Sequence, residues 1–239
     1  MDVAIVTVGD ELLTGDTENT NATWLCARLD DRGVTVERVT TVPDRVGDIA
    51  RVVNEYHAEY DAVLVTGGLG PTHDDVTMEA VAAAFGRDLV ANDEAADWLA
   101  ERGYSADDLV SETTHLPADC RPLPNEEGVA PGAVVESVYV LPGVPAEMEA
   151  MFESVVEEFE GTPTHTVVVD VDEPESALLE RFTELQEAFD VSVGSYPGES
   201  VRVKITAAAP DEAERAAEWV RERSVLVESV ESETEPSQR

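Results

Sequence analysis

The chain has 239 residues, with 52 Asp and Glu against 15 Lys and Arg, giving a formal net charge of −37 at pH 7. Such a charge on an apolar-poor chain means disorder, but 43% of the residues are hydrophobic, so a folded protein is expected. A surface this negative has no counterions to release from a nucleic acid and is repelled by an anionic leaflet, which excludes both as partners.

Lys204 is the single lysine, and the acids are spread along the whole length. Self-repulsion of this kind is relieved by strong screening, so a salt-adapted, cytoplasmic protein is expected. No run approaches the ~20 apolar residues of a spanning helix, and MDVAIVTVGDELL lacks a basic leader. Cys26 and Cys120 stand far apart without a CxxC pair and read as buried free thiols.

In chain order, the apolar run Val3 to Val8 predicts a buried strand, Asn21 to Asp31 a helix ended by Gly33, and Val34 to Val42 a second strand. The spacing of Val46, Ile49, Val52, Val53 and Tyr56 predicts a helix over Arg45 to Glu59, followed by a third strand over Asp61 to Thr66. Helices near Asp75 to Phe85 and Asp93 to Arg102, a short strand at Arg121 to Leu123, one long strand over Ala133 to Leu141, and a helix from Ala146 to Phe159 complete the unit. Val-rich strands alternating with crossover helices predict an α/β fold, a three-layer, doubly wound, mainly parallel sheet.

Gly161, Thr162 and Pro163 interrupt this rhythm and place a boundary between a first domain, residues 1–161, and a second, residues 163–228. The second reads strand His165 to Val171, helix Pro174 to Phe189, strands Val191 to Ser195 and Val201 to Ala207, and helix Asp211 to Val225, a small α+β domain. Its βαββα order is KH-like, yet it has no GxxG loop and no basic face, which favours a structural or dimerising role and a homo-oligomer. A polar tail, residues 229–239, follows.

Ligands of open α/β sheets bind beyond the carboxyl ends of the strands. There the sequence places Gly9-Asp10-Glu11, then Pro43-Asp44-Arg45, the run Gly67-Gly68-Leu69-Gly70-Pro71-Thr72-His73-Asp74-Asp75, and Pro142-Gly143-Val144-Pro145. The Gly67, Gly68, Gly70 turn lets backbone N–H groups approach an anion, but no Lys-Ser or Lys-Thr follows and His73 stands where a dinucleotide fingerprint has Gly, so neither an ATPase nor a dehydrogenase is indicated. Asp10, Glu11, Asp44, Asp74 and Asp75 gather near one rim, and crowded carboxylates either raise their pKa values or share a hard cation such as Mg²⁺ or Mn²⁺. Asn19 and Asn21 before a helix fit capping or contact with a base or sugar, two readings the sequence leaves open.

Taken together, GDELLTGDTENTNATWL (Gly9 to Leu25), TGGLGPTHDDVT (Thr66 to Thr77), PNEEGVAPG (Pro124 to Gly132) and LPGVPAEM (Leu141 to Met148) resemble, in order and spacing, the competence/damage-inducible protein A (CinA) family. The resemblance implies a first domain with the molybdopterin-binding fold shared with the Mog and MoaB proteins, and a KH-type second domain. It implies ligand contacts at Gly67, Gly68, Gly70, Thr77, Pro142 and Gly143, with Asn19 added as a ligand contact from the sequence, and places Asp75 and Asp44 in catalytic roles. Asp10, Glu11 and Asp74 are then the candidates to hold a divalent metal, Mg²⁺, Mn²⁺ or Co²⁺. Family chemistry points to metal-dependent hydrolysis of ADP-ribose, and Mog chemistry to adenylylation of molybdopterin; a non-enzymatic nucleotide or pterin binder is the third possibility. Many members carry a further amidohydrolase domain that deamidates nicotinamide mononucleotide; no motif here matches it, and that activity is not expected.

Overall fold

A computed structural model describes residues 1–104 and 113–227 of the chain. The tail expected at 229–239 lies outside the described residues. The chain divides into two compact units, Met1–Gly161 and Thr162–Arg239.

The first unit is built on a six-stranded sheet. In chain order its strands are β1 (Asp2–Val8), β2 (Thr35–Val42), β3 (Ala62–Thr66), β6 (Arg121–Leu123), β7 (Gly132–Val135) and β8 (Val138–Leu141), with β4 (Leu89–Ala91) and β5 (His115–Pro117) forming a separate antiparallel pair. The spatial order is β2-β1-β3-β8-β7-β6. The pairs β1–β2, β1–β3 and β3–β8 are parallel, whereas β7 runs antiparallel to both neighbours. The α/β class and the mainly parallel sheet expected from the Val-rich runs are therefore present.

Alternation along β1 explains the layers. Val3 and Ile5 pack with Ala22, Leu25 and Leu29 of α2 (Thr20–Asp30) and with Met148, Met151 and Phe152 of α6 (Pro145–Val155). Ala4 and Val6 face the other way, onto Ile49, Val52, Val53 and Tyr56 of α3 (Val46–Glu59) and Ala80 and Val81 of α4 (Thr77–Ala84). A strand buried on both faces needs no polar alternate, which is why Val3 to Val6 read as an unbroken apolar run. The described residues of this unit also form the one-turn α1 (Asp10–Thr14), α5 (Asp93–Glu101) and a 3₁₀ turn, Val156–Glu158, after α6.

The long strand expected over Ala133 to Leu141 is instead a tight hairpin of β7 and β8. Glu136 adopts a positive φ of 53° and, with Ser137, turns the chain back on itself. Partners outside the hairpin hold the turn: Arg87 pairs with the Glu136 carboxylate, His57 Nδ1 lies 3.0 Å from Ser137 Oγ, and Val63 N–H donates to the Ser137 carbonyl at 3.0 Å. Neither turn residue is Gly, Asn or Asp, so the local sequence lacked the usual signal.

In the second unit β9 (His165–Val171), α7 (Glu175–Ala188), β10 (Ser192–Pro197), β11 (Val201–Ala207) and α8 (Pro210–Arg223) follow in the expected βαββα order. The antiparallel sheet is ordered β10-β11-β9. Val169, Val171, Val203 and Ile205 pack against Leu178 and Leu185 of α7 and Ala216, Ala217 and Val220 of α8. No described helix is long and apolar enough to cross a membrane.

Candidate functional site

The chain leaves β1 to form β2 on one side and returns to form β3 on the other, so the strand order reverses between β1 and β3. Loops leaving adjacent strands in opposite directions open a crevice at that point. Here a crevice of about 340 Å³ is lined by Asn19, Asn21, Glu11, Asp44, the Gly67–Gly70 turn, Asp74, Asp75, Gly143 and Pro145, among others.

Gly67 and Gly68 have φ of 107° and 66°, conformations costly for L side chains. A Cβ on Gly67 would meet the Val8 carbonyl, and one on Gly68 the Thr77 hydroxyl, so the turn is both left-handed and packed against β1 and α4. Thr77, fully buried, donates its hydroxyl to the Gly67 carbonyl at 2.8 Å and its N–H to Gly68 O at 3.2 Å. Thr77 therefore stands behind the wall of the crevice and shapes it. Pro142 is similarly placed: its carbonyl accepts from buried Thr66 Oγ1 at 2.7 Å. A Cβ on Gly143 would stand 3.2 Å from Gly67 Cα, so the two glycine loops meet almost backbone to backbone.

Asn19 caps α2 by accepting from Ala22 N–H at 3.2 Å, while its Nδ2 donates to Thr7 Oγ1 at 3.0 Å and Thr41 Oγ1 at 3.4 Å. Asn21 uses Nδ2 on Thr66 Oγ1 at 3.1 Å and on the Gly143 carbonyl at 2.8 Å. The strand-end threonines Thr7, Thr41 and Thr66 were not singled out from the sequence. Hydroxyls at the carboxyl ends of otherwise Val-rich strands were the signal that marked them.

Asp44 is the electrostatic centre of the rim. Burial pushes its carboxyl above the usual range; the N–H of Asp10, donating at 2.7 Å, opposes this, and the negative Glu11, Asp10 and Asp74 reinforce it. Asp10 reaches the cluster through its backbone and is not among the residues lining the crevice. Asp75 does not cap α4, whose N-cap is Val76 without a side-chain bond; its Oδ2 accepts from Thr72 N–H at 2.9 Å and from the Thr72 hydroxyl, closing the turn that follows Gly70. A Cβ on Gly70 would lie 2.6 Å from Asp75 Oδ2, so a side chain there would displace the Asp75 carboxylate.

Among the described residues no three His, Cys, Asp or Glu side chains converge as a preformed metal cage. The donor set fits a different kind of site. Mg²⁺ and its relatives are commonly held by one or two carboxylates together with substrate phosphates, and a crowded carboxylate such as Asp44 beside a glycine turn meets that description.

Residues 4–161 match the family model "Probable molybdopterin binding domain". The chain belongs to this molybdopterin-binding-domain family. A protein of Archaeoglobus fulgidus is 41% identical over 198 residues, spanning 82% of this chain and 86% of the relative. Protein PF0476 of Pyrococcus furiosus is 37% identical over 242 residues, spanning 92% and 96% of the two chains. The crystal structure of the protein CinA, of unknown function, from Thermoplasma acidophilum superposes with a TM-score of 0.62 at 34% identity, covering 67% of this chain and 99% of the other. The CinA resemblance seen in the motifs is thus matched in three dimensions, and the crevice belongs to the family domain.

Proposed function

We propose that the crevice is the active site of a metal-dependent pyrophosphatase acting on ADP-ribose or a similar nucleoside diphosphate sugar. The observation that carries this reading is the pairing of an anion cradle with crowded carboxylates. The Gly67–Gly70 turn and the N-termini of α2 and α6 suit a phosphate, yet Asp44, Glu11, Asp74 and Asp75 stand at the same rim. Carboxylates beside a phosphate repel it unless a cation lies between, so a divalent ion accounts for both halves of the site.

In this reading Asp44, with Glu11 or Asp74 as a second carboxylate and Asp10 behind them, would hold the ion together with the substrate phosphates; when bound, it would neutralise the pyrophosphate and stabilise charge that develops on the leaving oxygen. The backbone N–H groups of the glycine turn hold one phosphate, and Gly143 keeps the facing loop close enough to wall the other side. Asp75 orients a water and takes its proton as the water oxygen attacks one phosphorus. The bridging P–O bond breaks, its electron pair leaves with the departing phosphate, and AMP and ribose 5-phosphate result.

A pterin ligand is the second reading, favoured by the family match itself; in it the same cradle holds the pterin phosphate, for binding alone or for adenylylation. Incubation with ADP-ribose and Mg²⁺, Mn²⁺ or Co²⁺ separates the two, and the −37 charge calls for molar KCl in the assay, in keeping with a salt-adapted protein. Release of AMP and ribose 5-phosphate supports the first reading. Tight molybdopterin binding with ADP-ribose left intact replaces it with the second.

A further inference from the structure

Asn19 and Asn21 sit two positions apart at the start of α2 and both line the crevice, but their amides are used differently. The Asn19 amide is engaged at both ends, its oxygen by Ala22 N–H and its nitrogen by Thr7 and Thr41. The Asn21 amide is engaged at one end. Its nitrogen donates to Thr66 Oγ1 and to the Gly143 carbonyl, whereas its Oδ1 is buried with no hydrogen-bond partner. The orientation is fixed chemically: a backbone carbonyl only accepts, and the Thr66 hydroxyl spends its proton on the Pro142 carbonyl, so the amide NH₂ must face both. A buried acceptor without a donor costs free energy that a native structure ordinarily recovers somewhere.

We infer that Asn21 Oδ1 is the acceptor for a neutral N–H or O–H donor of the bound ligand, and that Asn21 thereby selects the base or sugar. This rests on the nucleotide reading of the crevice proposed above. A phosphate is not the group it takes, because a carbonyl oxygen facing a phosphate oxygen sets two acceptors against each other. The phosphate falls to the glycine turn, and the Asn21 carbonyl is left for the amine of a purine or a hydroxyl of the ribose, which share donor chemistry. The two bonds from Nδ2 also make the specificity rigid: they tie Asn21 to the end of β3 and to the loop after β8, so the oxygen cannot turn away without breaking both.

The test is a cycle between protein and ligand, read by calorimetry in molar KCl with Mg²⁺. AMP is compared with purine riboside monophosphate, which lacks the amine, and with its 2′-deoxy and 3′-deoxy forms. At least one donor-deleted analogue is expected to bind the wild-type chain roughly tenfold more weakly than AMP, and that analogue identifies the source of the donor. In Asn21→Ala the same deletion is expected to cost almost nothing, and Asn21→Ser serves if the alanine variant does not fold. Penalties that are equal in wild type and variant, or absent from every analogue, overturn the inference while leaving the nucleotide site standing. Failure of AMP to bind the wild-type chain overturns the nucleotide reading itself, and this inference with it.

Discussion

At the scale of single residues, Asp44 concentrates the argument. Its carboxyl is pushed up chiefly by burial and further by Glu11, Asp10 and Asp74. The folded state therefore holds the Asp44 proton more tightly than the unfolded chain does. The linked stability is present below the ordinary carboxylate range and is lost as pH rises through the raised value. At neutral pH the charge is a burden, so Asp44→Asn is expected to raise the melting midpoint by about 1–3 °C while abolishing turnover. A lowered midpoint in thermal melts would show that the carboxylate is structurally required instead. Asp75→Asn keeps an oxygen that can accept from Thr72 but removes the charge, and kcat is expected to fall by about 10²-fold or more with little change in ligand affinity. Asp74→Asn, beside it, is the comparison; equal kinetics for the two variants would remove Asp75 from the chemical step.

At the scale of elements, the glycine turn makes the sharpest claim. Gly15 also has positive φ, 79°, but a Cβ there meets nothing within 4 Å, whereas Cβ atoms at Gly67 and Gly68 run into the Val8 carbonyl and the Thr77 hydroxyl. Gly15→Ala is expected to cost about 1 kcal/mol of unfolding free energy from backbone strain alone, and Gly67→Ala at least 1–3 kcal/mol more, read from denaturant melts. Similar costs at both positions would mean that the turn yields to a side chain. This turn was legible in the sequence because Gly67, Gly68 and Gly70 have few other reasons to stand between a buried strand and a helix. Strands β1 and β3 were legible for a related reason, since burial on both faces leaves an apolar run, whereas the three-residue β4 and β5 are too short to show a pattern and were not foreseen. The hairpin at Glu136 and Ser137 was not legible, because its turn is stabilised by Arg87, His57 and Val63, distant partners that no local window contains. The roles of Thr77 and Asn19 were legible only as proximity to the site; the directions of their hydrogen bonds, which decide what each does, arise from packing.

At the scale of the whole molecule, charge sets the conditions under which everything else holds. Raising KCl from about 0.1 M to 1 M shortens the Debye length from ~10 Å to ~3 Å, so a chain of net charge −37 is expected to gain melting temperature steeply across that range. An unchanged or falling midpoint would contradict the salt-adapted reading. Specific ion pairs act against this background. In the second unit, Arg181 and the Val225 N–H hold the Glu173 carboxyl down at about 2. A depressed carboxyl contributes stability above the usual glutamate range and loses it as pH falls toward 2, so the destabilisation from Glu173→Gln is expected to shrink through that window. A penalty independent of pH would refute the pairing. The central claim, that the first unit's crevice joins a phosphate cradle to a cation held by carboxylates, is tested most directly by following ADP-ribose by ³¹P NMR in molar KCl. With Mg²⁺, Mn²⁺ or Co²⁺ the pyrophosphate resonances should give way to those of AMP and ribose 5-phosphate, and excess chelator or Asp44→Asn should stop the change; intact ADP-ribose with every metal, or cleavage indifferent to both, would contradict it.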